Sequence, residues 1–142
     1  MAARSYDLNF DGYWRPPNIS GLPDSSGIYC VYACTHNVQR KTVSIRKLLY
    51  VGEAANVSER VPGHERWQDW ELELQHGEEL CFSVALISPE SDRQRTEAAM
   101  IHHHKPPCNV EYAVSFPYDQ TTISTSGKNA KLDGKFTVYR TP

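Results

Sequence analysis

The chain has 142 residues, a formal net charge of −2 and a hydrophobic content of 39%, with 11% aromatic residues. These values predict one soluble globular domain with a single core. They exclude a membrane-spanning protein, because no apolar run approaches the ~20 residues that cross a bilayer. Residues 1–7 also lack the apolar stretch of a secretion signal, so we expect a cytoplasmic protein without membrane contact.

The first segment, residues 1–23, is predicted to be an irregular lead. Its aromatic residues Phe10, Tyr13 and Trp14 are embedded among prolines and glycines, which disfavour a long helix or strand. We expect these rings to pack across the core, although stacking on nucleic-acid bases is an alternative.

The remaining elements follow from apolar periodicity and from turn and capping signals. We predict strands over residues 27–35, 42–51 and 80–87, and helices over residues 54–60, 64–75 and from Ser88 or Ser91 to Lys105. Asn56 or Ser58 is the expected cap of the first helix. The pattern indicates a small α/β (α+β) domain with a central three-stranded antiparallel or mixed sheet flanked by helices. Its core spans about residues 24–112, and residues 113–142 form a C-terminal extension containing a hairpin.

Charge is unevenly distributed along the chain. Acids outnumber bases between residues 65 and 92, whereas two basic groups lie elsewhere: Arg40, Lys41, Arg46 and Lys47, and then Lys128, Lys131, Lys135 and Arg140. Nucleic-acid phosphates favour basic surfaces, so the net charge argues weakly against such a partner. The two basic groups are where a nucleic acid would be expected to bind.

Cysteine and histidine patterns give no metal site. Cys30, Cys34 and His36 lack the spacing of a common zinc module, and we expect all four cysteines to be reduced thiols, mostly buried. The run His102-His103-His104 lies on a predicted helix, where three consecutive side chains cannot all face one ion. Solvated histidines near a helix C-terminus are the expected arrangement.

Six dispersed residues have the chemistry of a phosphodiester-cleaving site: Tyr29, Tyr50, Arg60, His64, Glu97 and Asn109. A single carboxylate such as Glu97 suffices for Mg²⁺, which keeps most of its waters, and an arginine matches phosphate geometry. A tyrosine with a pKa of ~10 needs a metal-bound water or a nearby cation to act as a base. Taken singly, each residue also fits an ordinary structural or surface role.

Taken together, the residues resemble the GIY-YIG nuclease superfamily. Gly27-Ile28-Tyr29 matches the first tripeptide and Tyr50-Val51-Gly52 the second, with valine in place of isoleucine. Arginine, glutamate and asparagine then follow in the family's order and spacing, and His64 matches a histidine of the restriction-enzyme branch. The resemblance covers about residues 24–112.

The resemblance implies a metal-dependent endonuclease that hydrolyses DNA, with Mg²⁺ as cofactor and Mn²⁺ as a substitute. Tyr29 would act as general base or orient the attacking water, and Tyr50 would bind the phosphate or assist that proton transfer. His64 would relay the proton and Arg60 would stabilise the transition-state charge. Glu97 would hold the metal, with Asn109 supporting the site.

Two departures from the family pattern stand out. Many members have a lysine directly after the second tripeptide, where this chain has Glu53; Arg46, Lys47 or His64 is expected to supply the missing charge. The stretch between Tyr29 and Tyr50 also exceeds the family's usual short hairpin, so its basic tip is an insertion.

Two rivals remain open at this point. One is a catalytically inactive nucleic-acid-binding module of the same fold, which Glu53 and the acidic balance favour. The other is a protein-interaction domain that works through the aromatic lead. Since relatives gain specificity from an appended DNA-binding domain, target choice here is expected from the basic segments, a homodimer or a partner protein.

Overall fold

The computed structural model describes residues 2–142 and contains one mixed sheet of six strands. The strands are β1 (Arg4–Trp14), β2 (Gly27–Asn37), β3 (Thr42–Ala54), β4 (Glu79–Leu86), β5 (Thr121–Gly127) and β6 (Lys135–Val138). They lie in the order β3-β2-β4-β1-β5-β6. Neighbouring strands are antiparallel, except that β1 runs parallel to β5. The predicted α/β class and mixed sheet are confirmed.

Three α-helices accompany the sheet: α1 (Val57–Arg60), α2 (Trp67–Leu72) and α3 (Glu90–His104), with a 3₁₀ segment at Pro16–Gly21. Asn56 is the N-cap of α1, because its side chain accepts a hydrogen bond from the backbone N–H of Glu59. Of the two caps predicted, the structure selects Asn56. The helix expected over residues 64–75 is shorter, because Gly63 has φ +73° and begins a turn rather than a helix.

The two faces of β2 lie in two separate cores. Cys30 and Tyr32 belong to the core that includes the buried face of α3, with Ala98 and Ala99. Tyr29, Val31 and Ala33 face the core that contains Val57 of α1 and Trp70 of α2. This follows from the alternation of side chains along a strand. Both faces of β2 are buried, so it reads as a continuous apolar run.

The prediction of three strands is wrong, because the sheet has six. The prediction of an irregular lead is also wrong, because part of that segment is a strand. Within residues 1–23, Arg4–Trp14 forms β1, which pairs with β4 on one side and β5 on the other. The prolines Pro16 and Pro17 lie beyond its end and therefore do not disrupt it. The alternation of buried Leu8 and Phe10 with exposed neighbours is the strand signal that the prolines and glycines obscured.

The C-terminal hairpin and the state of the cysteines agree with expectation. β5 and β6 pair antiparallel, and the four cysteines are free thiols, three of them buried. Within residues 2–142, no helix is both long enough and apolar enough to cross a membrane.

Candidate active site

The two glycines of the tripeptide motifs are required by close packing. A Cβ at Gly27 would lie 2.6 Å from the carbonyl oxygen of Ala85 on β4, and one at Gly52 would lie 2.3 Å from Cζ and Oη of Tyr29. Gly52 pairs with Tyr29 across β2 and β3. The second glycine therefore makes room for the tyrosine ring of the first motif.

The two motif tyrosines lie side by side on the α1–α2 face. The Tyr29 and Tyr50 rings stack with centroids 6.2 Å apart, Tyr29 is 1% exposed and Tyr50 is half-buried. Burial raises the pKa of both phenols, and the proximity of Tyr50 raises that of Tyr29 further, while the charge of Arg60 opposes the shift. Both hydroxyls are therefore protonated at neutral pH.

His64 is a buried neutral imidazole beside these rings. Its ring centroid is 5.4 Å from that of Tyr50 and 4.6 Å from that of Trp70. Burial, followed by the charge of Arg60, lowers its pKa to about 4. Its 3.4 Å contact with Glu65 is therefore not an ion pair at neutral pH.

The proton of His64 can be assigned from its partner. Nδ1 accepts a hydrogen bond of 2.9 Å from the backbone N–H of Arg66, so the neutral ring carries its proton on Nε2. That nitrogen is buried and has no hydrogen-bond partner within the described residues. An unpaired buried donor is costly, and Nε2–H is the group of this ring that lacks a partner.

Arg60 is held by Glu65 in a two-pronged ion pair. Its Nη1 and Nη2 lie 2.7 and 2.6 Å from the two carboxylate oxygens of Glu65. The hydrogen bond from Arg60 is the main cause that lowers the pKa of Glu65 to about 2. A phosphate that approached Arg60 would have to replace this carboxylate as its partner.

Glu97 is a half-buried carboxyl on α3. Burial, followed by the negative charges of Glu53 and Glu111, raises its pKa to about 8. A divalent cation would relieve both effects, since it supplies the positive charge that the site lacks. Glu97 therefore fits the role of a lone metal-holding carboxylate.

A cleft at the β3 edge of the sheet brings several predicted residues together. It has a volume of about 220 Å³, and its lining includes Tyr50, Glu97 and Asn109, together with Glu65 and Arg66. β3 is the end strand of the sheet. Tyr29, Arg60 and His64 are not part of this lining. Tyr29 and His64 pack against Tyr50, with ring centroids 6.2 and 5.4 Å away, and Arg60 is paired with Glu65 of the lining.

Asn109 ties the segment after α3 to this edge. Its Oδ1 accepts from the backbone N–H of Val51 at 2.9 Å and its Nδ2 donates to the carbonyl of Val51 at 3.0 Å. The backbone N–H of Cys108 also donates to the carbonyl of Leu49 at 3.0 Å. The amide of Asn109 thereby takes the place of a neighbouring strand.

Arg93 is the site neighbour that the sequence analysis missed. Its Nε donates to Glu53 at 2.9 Å and its Nη1 to Ser26 at 2.9 Å, and its side chain is only 8% exposed. The charge facing Glu53 therefore comes from α3. The signal available in the sequence was the position of Arg93 four residues before Glu97, which puts both on one side of the helix.

The other cations expected to supply charge are engaged elsewhere. Arg46 donates to both carboxylate oxygens of Glu78, at 2.7 and 2.9 Å, and Lys47 lies 3.6 Å from Glu73. The expectation that Arg46 or Lys47 compensates for Glu53 is therefore wrong. Acidic neighbours nearby in the fold have neutralised them.

The basic residues predicted to contact DNA are only partly brought together. Arg40, Lys41, Lys128 and Lys131 are exposed. Lys41 and Lys128 line one cleft of about 420 Å³, which also contains Arg15 and His36. His36 is seven residues from Tyr29 along β2, roughly 23 Å at 3.3 Å per residue. This cleft is therefore distinct from the site at the β3 edge.

Comparisons with known proteins add one likeness in fold. No protein-family model matches the sequence, and no curated protein matches it. The structure is similar to the crystal structure of the GIY-YIG N-terminal endonuclease domain of UvrC from Thermotoga maritima, a point mutant bound to its catalytic divalent cation. The two are 20% identical with a TM-score of 0.44, over 67% of this chain and 93% of that chain.

Proposed function

We propose that this protein is a metal-dependent endonuclease that hydrolyses DNA phosphodiester bonds, with Mg²⁺ as its cofactor and Mn²⁺ as a substitute. The observation that carries the proposal is the state of Glu97. A carboxyl whose pKa is raised to about 8 by burial and by Glu53 and Glu111 is unfavourable for stability. It is well suited to a divalent cation, which favours the ionised form.

The residues around Glu97 supply the remaining requirements of the reaction. Arg60 offers a guanidinium for the non-bridging phosphoryl oxygens once substrate displaces Glu65. The hydroxyl of Tyr50, in the same cleft as Glu97, hydrogen-bonds the phosphate. A divalent cation held by Glu97 would stabilise the negative charge on the leaving oxygen.

Tyr29 and His64 have roles set by their protonation. Because burial keeps the Tyr29 phenol protonated, its hydroxyl orients the attacking water. It takes the proton of that water only as it passes its own proton to a phosphoryl oxygen of the substrate. His64 keeps its proton on Nε2, since the lone pair of Nδ1 is occupied by the N–H of Arg66. We therefore assign His64 to donating a hydrogen bond through Nε2, in preference to relaying a proton.

DNA is the proposed partner, and the cleft lined by Arg15, His36, Lys41 and Lys128 is a proposed second contact with its phosphates. Among residues 2–142, no acidic residue lines that cleft, but Arg15 is already paired with Glu79. Lys41 and Lys128 therefore supply the charge that favours a polyanion, even though the net charge of the chain is −2. Target choice would come from this cleft, from a homodimer or from a partner protein.

The second candidate is a non-catalytic DNA-binding module. The closed ion pair between Arg60 and Glu65 favours it, because the cation that would stabilise the transition state already has a partner. This candidate predicts that the protein binds DNA but does not cleave it, whether or not a divalent metal is present.

The test is cleavage of supercoiled plasmid by the pure protein in Mg²⁺, in Mn²⁺ and in EDTA. We expect metal-dependent nicking that Glu97→Gln reduces by about a thousandfold or more, since a metal contributes several kcal/mol to the transition state. Glu90→Gln is the matched control, an exposed glutamate on the same helix, and it should cleave like the wild type.

Two outcomes would count against the nuclease. Equal nicking by wild type and Glu97→Gln would trace the activity to a contaminant. DNA binding without cleavage of plasmid, branched or single-stranded DNA would favour the binding module.

A further inference from the structure

A second cluster of metal-ligating groups lies at the C-terminal end of α3. His103, His104 and Asp133 each present one ligand atom, and these atoms lie within 4.8 Å of one another. Among residues 2–142, this is the one group of three metal-ligating side chains that are so close together. The expectation that three consecutive histidines cannot all face one ion holds, because Nδ1 of His102 lies 2.9 Å from the carbonyl oxygen of Tyr112 instead. His103 is exposed, as expected for a solvated histidine, whereas His104 is half-buried.

Both histidine rings are held in place by one aromatic ring. His103 stacks on Phe136 of β6 with centroids 4.0 Å apart and planes at 8°, and His104 contacts the same ring edge-on at 5.0 Å. Neither ring can rotate freely without losing this packing. The two imidazoles are therefore ordered before any ligand binds, which reduces the entropy lost on binding.

The hydrogen bonds of the cluster orient its ligand atoms. Nδ1 of His104 lies 3.1 Å from the carbonyl oxygen of Met100 and therefore donates to it, while Nε2 accepts from the backbone N–H of Asp133 at 3.0 Å. Nε2 of His103 lies 2.6 Å from Oδ2 of Asp133. Metal-binding histidines typically donate their second N–H to a backbone carbonyl in this way. The nitrogen of His104 left for an ion is therefore Nε2, which the N–H of Asp133 occupies in this structure.

We propose that His103, His104 and Asp133 form a binding site for a divalent transition metal of the Zn²⁺ class. Two imidazoles and one carboxylate suit such ions, whereas Mg²⁺ prefers oxygen ligands alone. Zn²⁺ would replace the hydrogen bond between Nε2 of His103 and Asp133, and the single proton of the neutral His103 ring would then sit on Nδ1. The backbone N–H of Asp133 would exchange its bond to His104 for one to water. Water completes the coordination.

This site is independent of the proposed active site. His103 follows Glu97 by six residues on α3, which is about 9 Å along the helix axis. Asp133 lies just before β6, so a bound ion would join the end of the helix that carries Glu97 to the β5–β6 hairpin. Zinc would then stabilise the native fold by binding it in preference to the unfolded chain.

The test is calorimetric titration of the metal-free protein with Zn²⁺ alone, in a Glu97→Gln background so that the proposed active site contributes no carboxylate. We expect one Zn²⁺ per chain, with affinity at least about tenfold weaker in Asp133→Asn, since even outer-shell partners are worth that much. His102→Ala is the matched control, because the neighbouring histidine lies outside the cluster, and its affinity should not change.

A second readout distinguishes loss of the site from loss of the fold. In NMR spectra of the folded protein, Zn²⁺ should shift the ring resonances of His103 and His104 and leave those of His102 in place. Absence of saturable binding, binding that survives Asp133→Asn, or equal weakening by His102→Ala would each overturn the site. None of these results would bear on DNA cleavage, which the plasmid assay addresses.

Discussion

Buried polar groups have opposite hydrogen-bonding and charge environments in the two outer parts of the sheet. At the β3 end, Glu97 and His64 have pKa values displaced toward their neutral forms, and Nε2 of His64 has no partner within the described residues. At the β5 end, the buried Arg95 donates to Thr121 Oγ1 and to the carbonyls of Ala2, Asp119 and Gln120. Glu97 and His64 are therefore held away from their usual charge states, whereas Arg95 is hydrogen-bonded to four acceptors and holds its part of the chain together.

This difference distinguishes residues suited to binding a ligand from residues that stabilise the fold. A group held away from its preferred charge state contributes little to folding but gains from a ligand that restores that state. A buried cation with four acceptors contributes to folding and leaves nothing for a ligand to gain. Substitutions at the two ends should therefore have opposite signatures.

The largest expected effect is that of Tyr29→Phe on catalysis. The substitution removes the hydroxyl that orients water and leaves the packed ring in place. We expect the single-turnover cleavage rate to fall by about 10²- to 10⁴-fold, the usual range for a group that assists proton transfer, with an unchanged unfolding midpoint.

Tyr32→Phe is the matched control for that experiment. Tyr32 lies on the opposite face of β2 in the other core, and its hydroxyl is buried without a hydrogen-bond partner in the described chain. It should keep full activity and lose no stability. Equal rates for Tyr29→Phe and the wild type would remove Tyr29 from the reaction.

Next in size is the effect of Arg95→Met on stability. The substitution removes four hydrogen bonds of a buried cation, at a cost of about 3 kcal/mol. The carbonyls of Asp119 and Gln120 keep one donor each, the hydroxyl of Thr121 and the N–H of Arg4. That corresponds to a fall of roughly 10 °C in the unfolding midpoint for a domain of this size. The remaining folded protein should cleave DNA at the wild-type rate.

The matched control for Arg95 is Arg4→Met, since Arg4 is 57% exposed in its ion pair with Asp92. A change within about 0.5 kcal/mol is expected there. If Arg95→Met were equally harmless, the β5 end would not hold the chain together as described.

Glu65→Gln should produce the smallest of these effects. The substitution weakens the ion pair that holds Arg60 and frees its guanidinium for phosphate. We expect DNA to bind more tightly by less than about tenfold in a metal-free anisotropy titration at low salt. Asp69→Asn, which removes the looser partner of Arg66 at 3.5 Å, should change affinity less, and weaker binding by Glu65→Gln would contradict the role of Arg60.

Much of the central fold could be predicted from local pattern. Apolar runs predict the strands β2, β3 and β4, and Pro106-Pro107 predicts the end of the helix α3. The parallel pairing of β1 with β5 joins segments more than a hundred residues apart. No local signal specifies such a contact, so the strand β1 and the attachment of the C-terminal hairpin to the central sheet were not predicted.

The sequence predicts which residues make up the candidate site, but not which of the charged groups around it are neutralised by ion pairs. The order of tyrosines, arginine and glutamate along the chain indicated the chemistry. The ion pair between Glu53 and Arg93 and the ion pair between Arg46 and Glu78 depend on how helix and turn pack on β3. Which cations remain available for phosphate is therefore a property of the folded chain.

The most direct test of the contrast between the two ends is the pH dependence of unfolding for wild type and Glu97→Gln, both in EDTA. Because the pKa of Glu97 is raised from its ordinary value of 4.5 to about 8, the unfolded state loses this proton first. Wild-type stability should therefore decline as pH rises from 4.5 to 8. Glutamine has no proton to lose, so the variant should match the wild type most closely at pH 4.5 and below and diverge from it as the pH rises.

At pH 8.5 we expect Glu97→Gln to unfold at least about 3 °C above the wild type, the shift that ~1 kcal/mol produces in a domain of this size. That result would show that the carboxyl of Glu97, at the β3 end, lowers the stability of the fold at this pH. A variant that unfolds at or below the wild-type midpoint at both pH values would contradict it.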